Sequence, residues 1–383
     1  FNVTTVEKEP LIPIGHEIAC DQFRLPIENP KKAFKTSGPK LTVSTNGDNL
    51  SASSSKVNFV FNRKTGIVTS YKVDGTEYFS EGFGIQPNFW RAPTDNDYGN
   101  GMPKRLQVWK ESSKNFNVTD ATVTMDGNNA VVNVNYLLPA GNLYIVNYTI
   151  YPSGAVNVAA RFTSTDMDAA QTEVSEATRT ATFTPGRDAA RKEASKLNVP
   201  RIGVRFRLPA SMNQVEYFGR GPAENYLDRN AGSMIGLYKS TAEELYFPYV
   251  RPQENGHHTN TRWVSLSTGK KGLLIQADNT IGFNALRNSI EDFDDEEATG
   301  LPRQWSNFTP EQVANHDEAA AKNVLRRQHH INDITPRNFV EVCVDLKQQG
   351  VAGYDSWGSR PEPAYTLPAN REYNWGFTLI PLK

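Results

Sequence analysis

The sequence predicts an all-β protein built as a large antiparallel sandwich of two sheets. Apolar and polar residues alternate along many short segments, most clearly over residues 202–208 and 340–346. Such alternation is typical of strands with one buried face. Turn-forming residues separate these segments, and helical patterns are few. Together the three observations favour a large sandwich over a helical or mixed fold.

Further strands are predicted earlier in the chain by the same alternation. Residues 57–61, 132–136 and 156–162 each carry apolar side chains at every second position. Residues 62–66 and 152–154 are rich in Gly, Pro, Asn and Ser, which supply turns between them. Because one face of each segment is polar, we expect half-buried strands.

Helical signals are local. Thr309, Pro310 and Gln312 form a capping-box pattern with Pro at the first helical position, which predicts a helix continuing to residue 325. Ser240 and Glu243 form a second capping-box pattern, which predicts one or two turns. The polar stretch 163–198 is expected to form a long hairpin or a surface excursion.

Composition divides the chain into three parts. Residues 28–40 are polar and break every period, which indicates a linker. Residues 1–27 have room for one or two strands and are too few to bury a core. Residues 41–383 form the predicted sandwich domain. The 383 residues are enough for two or three ordinary domains, or for one large β domain with a small attachment.

Charge and cysteine content exclude several classes of partner. Lys and Arg total 41 and Asp and Glu total 42, so the net charge is -1 and no nucleic acid is expected to bind. No apolar stretch is long enough to span a membrane, and no membrane partner is expected. Cys20 and Cys343 alone cannot make a disulfide framework or a zinc site, and we expect each to be a buried free thiol.

Four motifs carry a resemblance to a known family. They are FWRAPTDNDYG at residues 89–99, FGRGPAENYLDR at 218–229, PYVRPQENG at 248–256 and YDSW at 354–357. In this order, they resemble the C-terminal region of family 2 β-galactosidases. The resemblance implies a terminal supersandwich similar to galactose mutarotase at 41–383, preceded by the last strands of an immunoglobulin-like domain at 1–27.

The resemblance also implies an activity that this chain does not carry alone. Family members hydrolyse terminal β-D-galactosyl groups by a retaining mechanism, which needs two carboxylates about 5 Å apart. Those carboxylates lie on a central barrel that should precede residue 1, so we expect a C-terminal fragment without catalytic residues and without activity. The magnesium and sodium of relatives are expected on the barrel, and no metal is expected here. Expected partners are a β-galactoside or another saccharide and the remainder of the parent enzyme, which could be a homo-oligomer.

Two motifs are expected to border the active site of the whole enzyme. By resemblance, Trp357 stacks on sugar at the acceptor side, which suits a rigid indole on an apolar sugar face. Asp355 belongs to the same exposed loop. Gly99 is expected to act as the hinge of a mobile loop, beside Asp97. The alternative is that Arg91, Asp95, Asn96 and Asp97 form a buried, hydrogen-bonded turn that anchors the loop, and this alternative is favoured for Arg91 and Asp95.

The two Glu-Asn turns are candidates for a saccharide cleft. Both turns combine Gly and Pro with a Glu-Asn pair, so hydrogen-bond donors and acceptors lie side by side in each turn. They could equally be structural, because a buried Glu-Arg pair has the same sequence pattern. The candidate cleft residues are Glu224, Asn225, Tyr226, Arg229, Glu254, Asn255 and Arg262.

Two other kinds of chemistry were considered. A mutarotase-type epimerase would use His and a carboxylate as acid and base, and the pairs 257–258 and 329–330 could each give one His to a site. Surface or hydrogen-bonding roles are favoured for these histidines. The acidic run 291–297 is expected to be a solvated loop, because adjacent carboxylates repel. An independent carbohydrate-binding module remains the main alternative function.

Overall fold

The protein is all-β and antiparallel, as the sequence predicted. A computed structural model describes residues 1–27, 33–163, 197–294, 330–355 and 358–383. The strands are β1 (Asn2–Thr4), β2 (Glu17–Cys20), β3 (Thr42–Asn46), β4 (Asn49–Ser53), β5 (Val57–Asn62), β6 (Ile67–Val73), β7 (Thr76–Glu77), β8 (Gln86–Asn88), β9 (Asn117–Asp126), β10 (Asn129–Leu137), β11 (Leu143–Ile150), β12 (Val156–Thr163), β13 (Arg201–Pro209), β14 (Gln214–Gly221), β15 (Met234–Thr241), β16 (His258–Ser267), β17 (Gly272–Leu286), β18 (Phe339–Gln348) and β19 (Tyr373–Leu382). Within the described ranges, the α-helices are α1 (Asp95–Gly99), α2 (Met102–Arg105), α3 (Gln107–Lys114) and α4 (Ile290–Phe293), and three 3-10 turns span Ser80–Gly82, Ile331–Asp333 and Pro363–Tyr365.

Three sheets are formed by the described strands. Strands β3 to β7 follow one another in a five-stranded sheet, and β1 pairs with β2 alone. A twelve-stranded sheet contains the rest, in the order β15-β14-β16-β17-β19-β12-β11-β10-β9, with β18, β13 and β8 branching from β17. The branch exists because β17 is long: residues 272–277 pair with β19, whereas residues 282–286 pair with β18.

The five-stranded sheet packs on the long sheet through aromatic side chains. The ring centroids of Phe59 and Tyr148 are 5.6 Å apart, and the hydroxyl of Tyr71 donates to the carbonyl of Gly154 at 2.6 Å. Alternation along β5 points Val57, Phe59 and Phe61 into this core, as predicted. Aromatic burial of this kind is the main source of stability for two packed sheets.

The central strands β13 and β18 depart from the prediction of half-buried strands. Their apolar residues face the aromatic core, but the opposite face is buried as well. The turn at residues 254–257 and helix α4 cover it, with Glu254 pairing with Arg201 and Ile290 N donating to Glu341. The polar residues that alternation assigned to solvent therefore lie inside the protein.

Helices follow the sequence less closely than strands. Helices α1 to α3 come directly after the FWRAP segment, where a loop was predicted. The predicted helix from Thr309 lies outside the described residues, as does most of the 163–198 stretch. The Ser240–Glu243 capping box was wrong by one residue: Thr241 and Glu244 exchange the two bonds, and a turn follows instead of a helix.

The N-terminal residues bury no core. Every residue of β1 and β2 is exposed, and Cys20 is exposed too, so the prediction of a buried thiol was wrong there and right for Cys343. The side-chain amide of Gln22 bonds both the N–H and the carbonyl of Ile235 in β15. The proposed domain boundaries at 1–27, 28–40 and 41–383 stay predictions. No helix in the described part of the chain is long and apolar enough to cross a membrane.

Candidate functional site

Helix α1 is anchored by a buried ion pair at its start. Thr94 caps it: the Thr94 hydroxyl accepts from Asp97 N at 3.1 Å, and Thr94 N donates to the Asp97 carboxylate at 3.0 Å. Both Asp97 oxygens also accept from Arg91 Nη2 at 3.0 Å. Arg91 Nη1 donates to the carbonyl of Gln349 at 2.8 Å, which ties α1 to the end of β18. Arg91 and Asp97 therefore fix the start of helix α1 to the twelve-stranded sheet.

Helix α1 also holds the segment that follows β18. Asn96 Nδ2 donates to the carbonyls of Val351 at 3.2 Å and Ser359 at 2.7 Å, one on each side of the YDSW motif. Gly358 has a φ of 88°, and a Cβ there would lie 2.4 Å from the carbonyl carbon of Gly99. The structure therefore brings the FWRAPTDNDYG and YDSW motifs together. Trp357 itself lies outside the described residues.

Residues near Trp357 are exposed and locally bonded. Asp355 accepts a hydrogen bond from Ser359 N at 3.1 Å. The neighbouring Tyr354 side chain is 61% exposed. Gly99 is the last residue of α1, and Gly101, with a φ of 72°, occupies the left-handed region beside it. A hinge at Gly99 stays a prediction.

Asp97 and Asp95 have different surroundings. Asp97 is 1% exposed, and its oxygens are already engaged by Arg91 and Thr94, which favours an anchoring role over sugar contact. Asp95 was considered as a buried anchor with Arg91, but it is exposed and lies 3.4 Å from Arg251. The anchor of this turn is therefore Arg91 with Asp97.

The two Glu-Asn turns meet, as a shared cleft would require. Glu224 accepts from Gly256 N and from Arg229 Nη2, both at 2.7 Å, and from the hydroxyl of Tyr249. Tyr226 packs beneath, with Arg229 5.0 Å above its ring. Glu224 therefore joins the two turns rather than projecting from either.

Both asparagines of these turns are buried and hydrogen-bonded. Asn225 Oδ1 accepts from the N–H and the hydroxyl of Thr259 at 2.9 and 2.6 Å, and its Nδ2 donates to the carbonyls of Arg220 and Ala223. Asn255 accepts from Phe247 N at 3.2 Å and donates to Gln253 O at 2.9 Å. Such satisfied amides favour structural roles, and their predicted sugar contacts stay untested predictions.

Glu254 belongs to a buried centre formed with Arg201, Asn284, His257 and Asp345. Its Oε1 accepts from Arg201 at 3.1 Å, Asn284 at 3.0 Å and Gln348 at 2.9 Å. Arg201 Nε also lies 3.2 Å from the Asp345 carboxylate. The adjoining void measures about 20 Å³, which is room for one water and not for a sugar ring.

Electrostatics in the buried centre are dominated by desolvation. Burial raises the pKa of Asp345 to about 7, although Arg201 opposes the rise. Burial, then the Arg201 charge, holds the pKa of His257 well below its usual value. Burial likewise lowers the pKa of His258 to about 4. Both histidines are buried and hydrogen-bonded, and their rings bond Asn284 and the carbonyls of Gly256 and Pro222 respectively.

Arg262 and the acidic run lie apart from this centre. Arg262 donates to the carbonyl of Asn260, and burial together with Arg24 and Arg220 lowers its pKa. The acidic run was predicted to be a solvated loop. That prediction is wrong for the start of the run, because Asp292 is buried against Arg337. Burial opposes the ionisation of Glu291, yet the Arg205 charge outweighs it and lowers its pKa to about 2. Residues 295–297 and His329 lie outside the described part.

Sequence reasoning missed several polar residues of the interior and the rim. Arg201 and Asp345 lie on strands whose polar face was assigned to solvent, so alternation concealed them. Asn284 lies on β17, a strand that the alternation did not predict. Arg105 and Arg360 line a surface cavity of about 320 Å³ beside α1. No local sequence pattern predicts that Arg105 and Arg360 lie together, because the two residues are far apart in the sequence. Among the residues with described positions, no group of three His, Cys, Asp or Glu side chains is arranged to hold a metal ion.

Fold and site together define an all-β sandwich with a sealed polar interior and an exposed loop fixed by a short helix. Residues 53–379 match the family described as "Beta galactosidase small chain". The chain belongs to this β-galactosidase small chain family.

The β-galactosidase of Priestia megaterium is 30% identical over 371 residues, which are 96% of this chain and 30% of that protein. The "Beta-galactosidase small subunit" of Latilactobacillus sakei is 27% identical over 331 residues, which are 84% of this chain and 92% of that protein. The chain thus spans about 30% of the length of the P. megaterium relative. A solved galactose 1-epimerase from Lactobacillus acidophilus aligns with 89% of this chain and 97% of its own at 7% identity and a TM-score of 0.42, a level that says nothing about chemistry.

Proposed function

We propose that this chain is the small-chain part of a β-galactosidase of glycoside hydrolase family 2 and works only together with a catalytic portion that carries the barrel. The match to the small chain family and the 92% coverage of the L. sakei small subunit support this proposal. The whole enzyme hydrolyses terminal β-D-galactosyl groups with retention, and the partner of this chain is the catalytic portion. Magnesium and sodium belong to that portion in this proposal.

The clamp of α1 on the segment around Trp357 is the observation that carries the proposed role. Asn96 bonds carbonyls on both sides of the motif, and Gly358 packs against the end of the same helix. Such a clamp restricts the segment without requiring any contact from a sugar. We assign Trp357 the role of stacking on sugar at the acceptor side, with Asp355 shaping the turn that carries it.

The buried centre supports a non-catalytic role for this chain. Retaining hydrolysis needs a nucleophile and an acid/base with a sugar ring between them. Glu254 is enclosed by Arg201, Asn284 and Gln348 beside a void of only about 20 Å³. That leaves a saccharide no room, so we propose neither an independent sugar site nor mutarotase chemistry there.

A fusion experiment tests the proposal. The chain replaces the matching C-terminal portion of the P. megaterium β-galactosidase, and release of nitrophenol from o-nitrophenyl β-galactoside is measured. We expect no activity from the chain alone, little from the truncated relative and restored activity in the fusion. Nitrophenol release by the purified chain alone would contradict the proposal, and so would a folded fusion no more active than the truncated relative.

A variant pair separates the role of Trp357 from general stability. In the active fusion, Trp357→Ala is expected to lower kcat/KM by at least about tenfold, the equivalent of losing roughly 1.4 kcal/mol of stacking. Tyr365→Ala, an exposed aromatic of a following 3-10 turn, is the matched control and is expected to leave kcat/KM within about twofold. Equal effects from both variants would argue against a specific role for Trp357.

A further inference from the structure

The surface cavity beside α1, here named the rim cavity, carries an excess of unneutralised positive charge. Arg105 and Arg360 line it, together with Asp97, Asn100, Asn198 and Gln349. In the part of the chain that the structure describes, neither Arg105 nor Arg360 forms an ion pair with a carboxylate. Asp97 lies in the same lining and attracts Arg105, but Arg91 and Thr94 already bond its two oxygens, and one carboxylate cannot balance three arginines.

Arg105 is held in place with an unused donor. Its Nη2 donates to Asn100 Oδ1 at 3.1 Å, which fixes the guanidinium on the cavity wall. Its Nε is buried and has no hydrogen-bond partner among the described residues. Burial, then the charge of Arg360, lowers the pKa of Arg105, so the two guanidinium groups repel each other across the cavity. Two guanidinium groups that repel each other beside one cavity leave a position between them that an anion would fill.

Neutral amides complete the lining. Gln349 is 4% exposed and lines the cavity. Its backbone is tightly held, since its N–H donates to Pro200 O and its carbonyl accepts from Arg91. The cavity of about 320 Å³ is large enough for a small ligand.

We propose that the rim cavity is a binding site for an oxyanion, a carboxylate or phosphate group held between Arg105 and Arg360. Guanidinium groups match such anions with paired hydrogen bonds, and the Gln349 amide supplies a further neutral donor. The anion has two sources: a free small molecule or an Asp or Glu side chain of the catalytic portion. Only the second source rests on the proposed function.

The first experiment uses the full chain alone. Thermal unfolding is followed while phosphate, sulfate or acetate replaces chloride at constant ionic strength, with galactose as the neutral comparison. We expect a saturable rise in Tm with the oxyanions and none with galactose. Arg360→Gln should weaken the apparent affinity at least about tenfold, as expected for loss of a charge-assisted hydrogen bond. Arg105→Gln should do the same.

The control and the contradicting outcomes are defined by the same titration. Arg371→Gln removes an exposed arginine that does not line the cavity, and it should leave anion binding unchanged. Arg360 is exposed and makes no ion pair with a described residue, so Arg360→Gln is expected to fold normally. No saturable rise in the unsubstituted chain, or a rise that persists in both cavity variants, would overturn the proposal.

A second titration on the assembled fusion distinguishes the two sources. If the fusion binds phosphate as the free chain does, the site takes a free anion. If only the free chain binds phosphate, a carboxylate of the catalytic portion fills the cavity on assembly. The titration of the free chain does not depend on assembly, so failure of the small-chain proposal and failure of the anion site give different results.

Discussion

The buried centre around Arg201 and the rim cavity around Arg105 use the same residue types but differ in how their charges are matched. Arg201 faces two carboxylates, Glu254 and Asp345, and all three side chains are buried. Arg105 and Arg360 line a surface cavity whose described carboxylate, Asp97, is already bonded by Arg91 and Thr94. Matched charges hold a fold together, whereas unmatched charges at a surface are available to a ligand or a partner. Residue type alone therefore does not separate the two roles.

Removal of the central arginine should have the largest effect. Arg201→Met leaves two buried carboxylates without their cation, and we expect unfolding free energy to fall by about 3–5 kcal/mol. Chemical denaturation measures it. Arg161→Met, which breaks the exposed pair with Glu372, is the control and should cost at most about 1 kcal/mol. Equal losses of unfolding free energy in the two variants would show that burial does not determine how much an ion pair stabilises this fold.

The pH dependence of stability should report Asp345. Its pKa rises from 3.8 to about 7 on folding because of burial, so between these values the folded state binds the extra proton. Stability conferred by that proton is present below pH 3.8 and is lost as pH rises towards 7, by at most about 1.4 kcal/mol per pH unit. Asp345→Asn should remove this slope. An unchanged slope in the variant would assign the pH effect to other groups.

The α1 clamp should affect function more than stability. Asn96→Ala removes two hydrogen bonds to the 351–359 segment and should cost about 1 kcal/mol in the free chain. In the fusion it should lower kcat/KM several-fold, because the segment that carries Trp357 loses its support. Asn58→Ala removes an amide contact to Ser70 within the five-stranded sheet and should leave kcat/KM unchanged. The reverse order of effects would refute the clamp.

The smallest effect is expected at the rim cavity. Arg360→Gln should change unfolding free energy by less than about 0.5 kcal/mol, since its side chain stabilises no described carboxylate. Relief of repulsion with Arg105 could even raise stability slightly. Thermal unfolding in chloride alone checks this. A loss above about 2 kcal/mol would place Arg360 with Arg201 as a structural residue.

Strand positions were predictable, but the burial of their polar faces was not. Alternation along β5, β10, β12 and β13 located the strands because each contacts the aromatic core on one side. The same alternation predicted that Arg205 faces solvent. In the structure, Glu291 of helix α4 forms an ion pair with Arg205 and covers it. The covering element is remote in sequence, so no local pattern could reveal it.

The site was predictable only as separate pieces. The motifs identified the Glu-Asn turns and the YDSW segment, and the structure shows which pieces meet. Thr94 and Asp97 had the spacing of a helix cap, but Pro, Asn and Gly around them favoured a loop. The bond from Asn96 to Ser359 joins residues that only the folded sheet brings together.

The contact between Gln22 and β15 bears on self-association. Strand β15 ends the twelve-stranded sheet, and an open strand edge is a template on which a second copy of the chain can pair. The carboxamide of Gln22 satisfies the N–H and the carbonyl of Ile235 at once, as a neighbouring strand would. The Gln22 side chain thereby occupies the pairing groups of Ile235 near the start of β15. A second copy cannot pair with the strand at that residue, which disfavours edge-to-edge association.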